Sequence, residues 1–217
     1  DPHLNAADRS VALWLENHGE QPVSLQIRVL AWQQGERGDG YADQGEIQAS
    51  PPLATVAPGK KQMVRLIQLH QAPADGEAAY RVLVDEIPRA DAPPDIAGGN
   101  GMGVRFQMRY SVPLFVYGAG VWVHNPIDKD GPGEGAKPGL SLRVEGAADH
   151  RFLVVANRGP VHARLAQASL LGPNGQATPL AAGLLGYVLP GAQLRVPLPA
   201  GAGTHGLSLK AKVNDEV

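Results

Sequence analysis

Residues 104–115 read VRFQMRYSVPLF and alternate between large apolar and polar side chains. Successive side chains of a β-strand point to opposite faces, so this alternation predicts a strand with one apolar and one polar face. The apolar residues are Val104, Phe106, Met108 and Tyr110. Such a row usually covers the strand's own domain, but it can also insert into the core of another protein. Phe106 and Met108 are bulky for a strand that only closes its own sheet.

The composition around this stretch is typical of an all-β protein. The chain has 27 glycines and 19 prolines in 217 residues, and they interrupt long helical periods and leave short apolar runs between turns. Because 43 % of the residues are hydrophobic, the chain can form a core of one large or two modest domains. The net charge of −2 gives no general case for nucleic-acid binding, which selects for a basic surface.

Several classes of protein are excluded by residue types that the sequence lacks. There is no cysteine, so disulfides, thiolate metal sites and cysteine nucleophiles are ruled out. No run approaches the roughly 18 apolar residues of a membrane-spanning helix. The sequence starts at Asp1 without the pattern of a signal peptide, as expected of a mature or trimmed secreted protein.

Short strands separated by turns are predicted throughout the chain. The predicted strands are residues 11–17, 23–32, 46–52, 62–67, 80–88, 104–115, 140–144, 151–157, 163–171, 193–197 and 206–213. Residues 33–44 and 89–103 are predicted to be loops, because they are polar or rich in glycine and proline. Turns about every 8–12 residues predict two tandem immunoglobulin-like sandwiches, residues 1–118 and 121–217, with a hinge at 119–120.

Two strand motifs resemble those of a known family. Residues 80–88, YRVLVDEIP, and 106–115, FQMRYSVPLF, are similar to the F and G strands of periplasmic pilus-assembly chaperones, the PapD-like family, and resemble its archaic, CsuC-like branch. The likeness covers almost the whole chain and is weaker in the second half. Its further motifs are residues 50–52 (SPP), 58–60 (PGK), 64–66 (VRL) and 186–189 (GYVL).

The resemblance implies a boomerang of two immunoglobulin-like domains that captures pilus subunits in the periplasm and delivers them to an outer-membrane usher. Each subunit is an immunoglobulin-like domain without its last strand, and the chaperone's G strand fills the open groove, a form of β-strand addition. The implied donor residues are Val104, Phe106, Met108 and Tyr110. The family implies no enzyme activity, no cofactor and no small-molecule substrate.

The family also binds the terminal carboxylate of the subunit through cationic residues. The usual lysine position is occupied here by Pro113, and the usual arginine position falls near the start of the chain, so neither can act in this way. Arg81 and Arg109, on strands predicted to be neighbours, can substitute, because guanidinium groups pair bidentately with carboxylates. The alternative is that these arginines are solvated, or paired with Asp85 or Glu86.

Two features depart from the family pattern. Glu86 matches an acidic position that helps to fix the two domains, but Tyr117 stands where its usual arginine partner would be. The sequence also begins near the end of the family's first strand, so most of that strand is expected to be trimmed, disordered or processed.

Other chemistry has little support in the sequence. The seven histidines show no paired spacing typical of zinc, and residues 128–134 lack the ligand set of an EF-hand calcium loop. Residues 98–101, GGNG, do not connect a strand to a helix as phosphate-binding loops do. Trp14, Trp32 and Trp122 leave one alternative function open, an immunoglobulin-like carbohydrate-binding or adhesive module, although tryptophan in sandwiches more often packs in a core.

Overall fold

The structure, a computed structural model, describes residues 2–36, 38–71, 73–88, 96–97, 103–104, 107–121, 135–147, 150–199 and 206–214. Within these ranges the secondary structure consists of strands, which confirms the predicted all-β class. None of the described residues forms a helix that is long and apolar enough to cross a membrane.

Seventeen strands are present in the described ranges. Those of the first half are β1 (His3–Leu4), β2 (Ser10–Glu16), β3 (Val23–Gly35), β4 (Gly38–Ala42), β5 (Ile47–Ser50), β6 (Leu53–Val56), β7 (Lys61–Gln68), β8 (Glu77–Ile87), β9 (Ile96–Ala97), β10 (Gly103–Val104) and β11 (Arg109–Tyr117). Those of the second half are β12 (Leu140–Ala147), β13 (His150–Asn157), β14 (Ala163–Leu171), β15 (Ala177–Val188), β16 (Gln193–Pro197) and β17 (Ser208–Val213).

The chain divides into two compact units. The first comprises Asp1–Trp32, Tyr41–Pro73 and Ala78–Tyr117, and the second comprises Gln33–Gly40, Ala74–Glu77 and Gly118–Val217. Two short segments from the first half of the sequence therefore belong to the second unit. The domain boundaries expected from the sequence, 1–118 and 121–217, stay a prediction.

The first unit is a sandwich of two sheets. One sheet has the order β1-β11-β8-β3-β4, with β6 also paired to β3, and the other has the order β2-β7-β5. Alternation places Tyr80, Val82 and Val84 of β8 in the core, with partly buried residues between them. The buried core residues are Leu4, Ile27, Ile47, Ala49, Val64, Leu66, Tyr80, Val82, Val84, Leu114 and Val116.

The second unit repeats this arrangement. Its sheets have the orders β12-β13-β16 and β15-β14-β17. Apolar residues from both sheets share one core, whose buried members are Leu153, Val155, Ala163, Leu165, Leu170 and Val188. Two sandwiches, each with its own core, confirm the predicted fold class.

Each unit contains a corner that is built around a buried asparagine. In the first unit, Nδ2 of Asn17 donates to the carbonyl oxygens of Gln21 at 2.8 Å and Val56 at 2.9 Å. Its Oδ1 accepts from the backbone N–H of Gly19 at 2.9 Å. The side chain thus ties the turn after β2 to the end of β6, because one amide satisfies three backbone groups.

The second unit has the same corner at Asn157, where the side chain is almost completely buried. Its Nδ2 donates to the carbonyl oxygens of Val161 at 2.7 Å and Val188 at 3.0 Å. Its Oδ1 accepts from the N–H groups of Gly159 at 2.9 Å and Gly139 at 3.0 Å. The two units therefore share an internal structural repeat with the sequence Asn-x-Gly.

The two predicted loops are wrong in part. Residues 33–44 are not all loop, because β3 continues to Gly35 and β4 follows at Gly38–Ala42. Residues 89–103 are not all loop either, because they contain β9 and the first residue of β10. The residues of β4 are all exposed, so no apolar alternation marks this strand. The apolar period predicts neither β6 nor β15, and the register of β15 against β14 is shifted by bulges that break this two-residue period.

Candidate functional site

β11 carries an apolar row that passes from the core to the surface. Leu114 and Val116 are buried in the first core, and Val112 packs against it. Tyr110 and Met108 continue the same row toward the start of the strand, since they lie at the same two-residue spacing. There the row is solvent-exposed, with Met108 51 % and Tyr110 53 % exposed. The apolar face of this segment is therefore longer than the core that it covers.

One edge of β11 is only partly covered by another strand. On one side β11 neighbours β8, and the N–H of Glu86 donates to the carbonyl oxygen of Met108 at 3.0 Å. On the other side the parallel strand β1 pairs only with Phe115 and Val116. Within the described chain no strand lies against residues 109–114 on that side. An open edge next to an exposed apolar row is a surface to which another strand can be added.

The predicted single strand over residues 104–115 is wrong in its first half. Val104 belongs to β10, where it pairs with Ile96 of β9, and β11 begins only at Arg109. The neighbouring strand β8 ends just before Pro88, which has no N–H to donate and cannot continue the ladder. Phe106, the second predicted donor residue, lies outside the described residues.

Arg109 belongs to a small charged cluster on the polar face of the sheet. Its guanidinium group, in a side chain that is 64 % exposed, forms an ion pair with Asp85, and Arg28 binds the same carboxylate at 2.8 Å. Hydrogen bonds from Arg28 and then from Arg109 lower the pKa of Asp85 below its ordinary value. We call Arg28, Asp85 and Arg109 the arginine cluster. Two guanidinium groups and one carboxylate give it a net positive charge.

Arg81 lies in a different environment. Its Cζ is 3.8 Å from the ring centroid of Trp32, which is a cation–π geometry. Trp32 is buried, and its ring also lies against Phe115 with 6.1 Å between the centroids. The two arginines predicted to bind a carboxylate are thus held by different groups, an aromatic ring for Arg81 and a carboxylate for Arg109.

Glu86 lies beside the exposed part of the apolar row. It is opposite Leu25 of β3, and its Oε2 accepts from the N–H of Met108 at 3.4 Å. These contacts are all within the first unit. The role in fixing the two domains that the resemblance implies for Glu86 stays a prediction.

A cavity of about 290 Å³ lies at this end of the first unit, and we call it the mouth cavity. Met108 and Tyr110 form part of its lining, so the exposed row and the cavity share a surface. Its full lining consists of Glu16, Asn17, His18, Gly19, Val23, Leu25, Val56, Glu86, Met108 and Tyr110.

One buried polar pair was not predicted from the sequence. The side chain of Glu77 is fully buried in the second unit, and its Oε2 lies 2.7 Å from Nδ1 of His162 and accepts from the backbone N–H of His162 at 3.1 Å. The residues are 85 positions apart. In the sequence, this pair is indicated only by the acidic residue at the start of the apolar strand β8, and that residue alone does not identify His162 as its partner.

The remaining candidate chemistry is limited in the described residues. No group of three or more histidine, cysteine, aspartate or glutamate side chains among them could hold a metal ion. Trp14 is 60 % exposed and Trp32 is buried, whereas Trp122 lies outside the described ranges. Among the described tryptophans, Trp14 is therefore the exposed one, and exposed aromatic rings also occur at Tyr41 and Tyr110.

An exposed, apolar strand with an open edge is a feature of proteins that bind other polypeptides by β-strand addition. The chain belongs to the family described as "Pili and flagellar-assembly chaperone, PapD N-terminal domain", whose sequence profile matches residues 3–121, more than half of the chain. This confirms the family that the two strand motifs predicted, and the role of the chain as a chaperone of pilus assembly. A search of curated proteins gave no match.

Solved structures agree with this family. One match is a chain of the CsuC–CsuE chaperone–tip adhesion subunit pre-assembly complex from the archaic chaperone-usher Csu pili of Acinetobacter baumannii. The two chains are 28 % identical with a TM-score of 0.72, and the match covers 99 % of this chain and 90 % of the other. The Salmonella enterica SafA pilin–SafB chaperone complex (18 %, TM-score 0.64, 98 % and 85 % covered) and the Pseudomonas aeruginosa CupB2 chaperone (18 %, TM-score 0.61, 99 % and 91 % covered) share the fold. The likeness to CsuC supports the predicted archaic branch.

Proposed function

We propose that this chaperone binds pilus subunits in the periplasm by donor-strand complementation and delivers them to an outer-membrane usher. The bound partner is an incomplete immunoglobulin-like domain whose open groove receives the apolar row. The donor residues are Val104, Phe106, Met108 and Tyr110. The observation that carries the proposal is the exposure of Met108 and Tyr110 on a row that continues into the chaperone's own core at Leu114 and Val116.

Two physical terms support binding in this mode. The open edge at residues 109–114 offers backbone N–H and C=O groups to an incoming strand, and such bonds depend little on the partner's sequence. Full burial of a large apolar side chain contributes roughly 1.5–3 kcal/mol. Because Met108 and Tyr110 are about half exposed, covering the rest of each contributes about half of that amount. The solved CsuC–CsuE complex supports a pilus subunit as the partner.

Arg81 and Arg109 are proposed to bind the terminal carboxylate of the subunit. The arginine cluster has an excess of positive charge, so a second carboxylate can bind there without displacing Asp85. If both arginines act in this way, Arg81→Ala and Arg109→Ala weaken the complex with an intact subunit and have no effect on a subunit that lacks its last residues. Equal effects on both forms of the subunit would contradict the role.

The proposed donor row is tested by substitution and capture. A pilus subunit is co-expressed in the periplasm with the chaperone, and the Phe106→Asp, Met108→Asp double variant is compared with wild type. Leu53→Asp is the matched control, because Leu53 is equally exposed, at 57 %, in the same unit but outside the row. The double variant is expected to recover no subunit and the control as much as wild type. Undiminished recovery with the double variant would overturn the proposal.

A further inference from the structure

Glu86 ends a row of core-facing side chains. Tyr80, Val82 and Val84 of β8 are buried in the first core, and Glu86 is the next residue at the same spacing. Its carboxylate therefore lies on the core side of the sheet, at the end of the sandwich where the mouth cavity is found. A carboxylate on an apolar face is costly unless a donor or a cation compensates it.

The other acidic side chain of the cavity already has a cation. Glu16 forms an ion pair with Lys61 at 2.9 Å, and Nε2 of His18 is 3.9 Å from the same carboxylate. From the described residues, the carboxylate of Glu86 receives only the 3.4 Å contact of the backbone N–H of Met108. Within the described residues no lysine, arginine or histidine lies within ion-pair distance of it. Among the groups that the structure describes, the mouth cavity therefore has one carboxylate, that of Glu86, without a cation beside it.

The shape and lining of the cavity fit a long side chain. A volume of about 290 Å³ is at the lower limit of the roughly 300–1,000 Å³ typical of small-molecule sites, so one side chain suits it better than a cofactor. Val23, Leu25 and Val56 supply apolar walls for a methylene stem, and the ring of Tyr110 can face a cation. Lysine and arginine combine such a stem with a charge opposite to that of Glu86.

We propose that the mouth cavity receives a lysine or arginine side chain of the captured subunit, with its cationic group against Glu86. This inference rests on the proposed function, because Met108 and Tyr110 belong both to the donor row and to the cavity lining. A subunit that covers these two residues also covers the cavity. The pairing adds a charge requirement to an interaction that is otherwise apolar and backbone-mediated, and it favours subunits with a basic residue beside the groove.

The cavity is first tested without a subunit. Methyl signals of Val23, Leu25 and Val56 are followed by NMR while n-butylguanidinium, which has an apolar stem and a cationic group, is added to the full chain. Shifts are expected in wild type and in the Glu20→Gln control, where an exposed carboxylate of the same unit is removed. They are expected to disappear in Glu86→Gln and to be absent with n-butanol. Equal shifts in Glu86→Gln, or none in wild type, would overturn the inference.

The subunit then provides a second test that separates this inference from the proposed function. Because a hydrogen bond to a charged group is stronger than one to a neutral group, Glu86→Gln is expected to weaken subunit binding roughly tenfold or more. Glu86→Lys is expected to weaken it further, since it places a like charge opposite the subunit's cation. Glu20→Lys is expected to bind as wild type does. If the Phe106→Asp, Met108→Asp variant loses the subunit but both Glu86 variants keep full affinity, the donor row stands and the cavity inference is wrong. If the donor variant also keeps full affinity, the proposed function itself is wrong.

Discussion

Removing the side chain of Asn157 is expected to unfold the second unit selectively. Asn157→Ala deletes two donated and two accepted hydrogen bonds, which join the residue to Gly139, Gly159, Val161 and Val188. A net contribution of about 0.5–1.5 kcal/mol for each bond gives about 2–6 kcal/mol in total. The upper half of this range is expected, because the side chain is buried and water cannot replace the lost partners.

Amide hydrogen exchange measures this loss separately in each unit. A destabilisation of at least about 2 kcal/mol speeds exchange roughly thirtyfold in residues that open with the unit. Asn157→Ala is therefore expected to speed exchange in β13 and β14 and to leave β7 and β8 unchanged. Asn17→Ala is the matched variant, because Asn17 forms three bonds of the same type in the first unit. It is expected to produce the reverse pattern.

A rise of less than about fivefold in the exchange of the second unit, which corresponds to about 1 kcal/mol, would contradict this expectation. Equal acceleration of exchange in both sandwiches by either variant would also contradict it. The first outcome would mean that the backbone groups around Asn157 find other partners. The second would mean that the two compact units do not open independently.

Two further predictions concern charge and packing. The pKa of Asp85 is lowered in the folded chain, so its ion pairs stabilise the fold above the ordinary pKa of 3.8, and this stabilisation is lost as the pH falls through the lower folded value. In urea denaturation, Asp85→Asn should therefore be less stable than wild type near neutral pH and equally stable in strong acid. A difference in stability that stays constant with pH would contradict this. A Cβ on Gly159 would lie 2.6 Å from the carbonyl oxygen of Lys137, so Gly159→Ala is expected to lower the free energy of unfolding by about 1–3 kcal/mol. At Gly183 a Cβ would have no atom within 4 Å, so Gly183→Ala should change stability little. Equal unfolding midpoints for the two variants would contradict this difference.

Alternation predicted most of the fold because buried strands have a strict period. β14 and β16 have the bounds that the sequence indicated, Ala163–Leu171 and Gln193–Pro197, and the apolar positions of β8 are in the core. β4 was missed because all of its side chains are exposed, and a strand without a buried face has no apolar period to detect. β15 was missed because bulges interrupt its period.

The candidate site could be predicted only in part. The alternative that Arg109 pairs with Asp85 was foreseeable, since both residues lie on strands predicted to be neighbours, and the structure contains this ion pair. The position of Arg81 over Trp32 was not, because it depends on how β3 and β8 are placed in the sheet. Nor could the sequence link Glu77 to His162, because long-range polar pairs follow from the fold rather than from spacing. The Asn-x-Gly motif occurs in the sequence at residues 17–19 and 157–159, but its role as a corner follows only from the hydrogen bonds of the two asparagine side chains.

The most direct measurement of the central claim uses the absence of cysteine from the sequence. Met108→Cys introduces a single thiol on the apolar row, and Gln107→Cys introduces one on the exposed neighbouring position of the opposite face. Labelling with a thiol reagent is followed with the chaperone alone and in complex with a pilus subunit. Donor-strand complementation predicts that the thiol at position 108 reacts in the chaperone alone and is protected in the complex, while the thiol at position 107 stays reactive. A thiol at position 108 that labels equally fast in the complex would contradict the account.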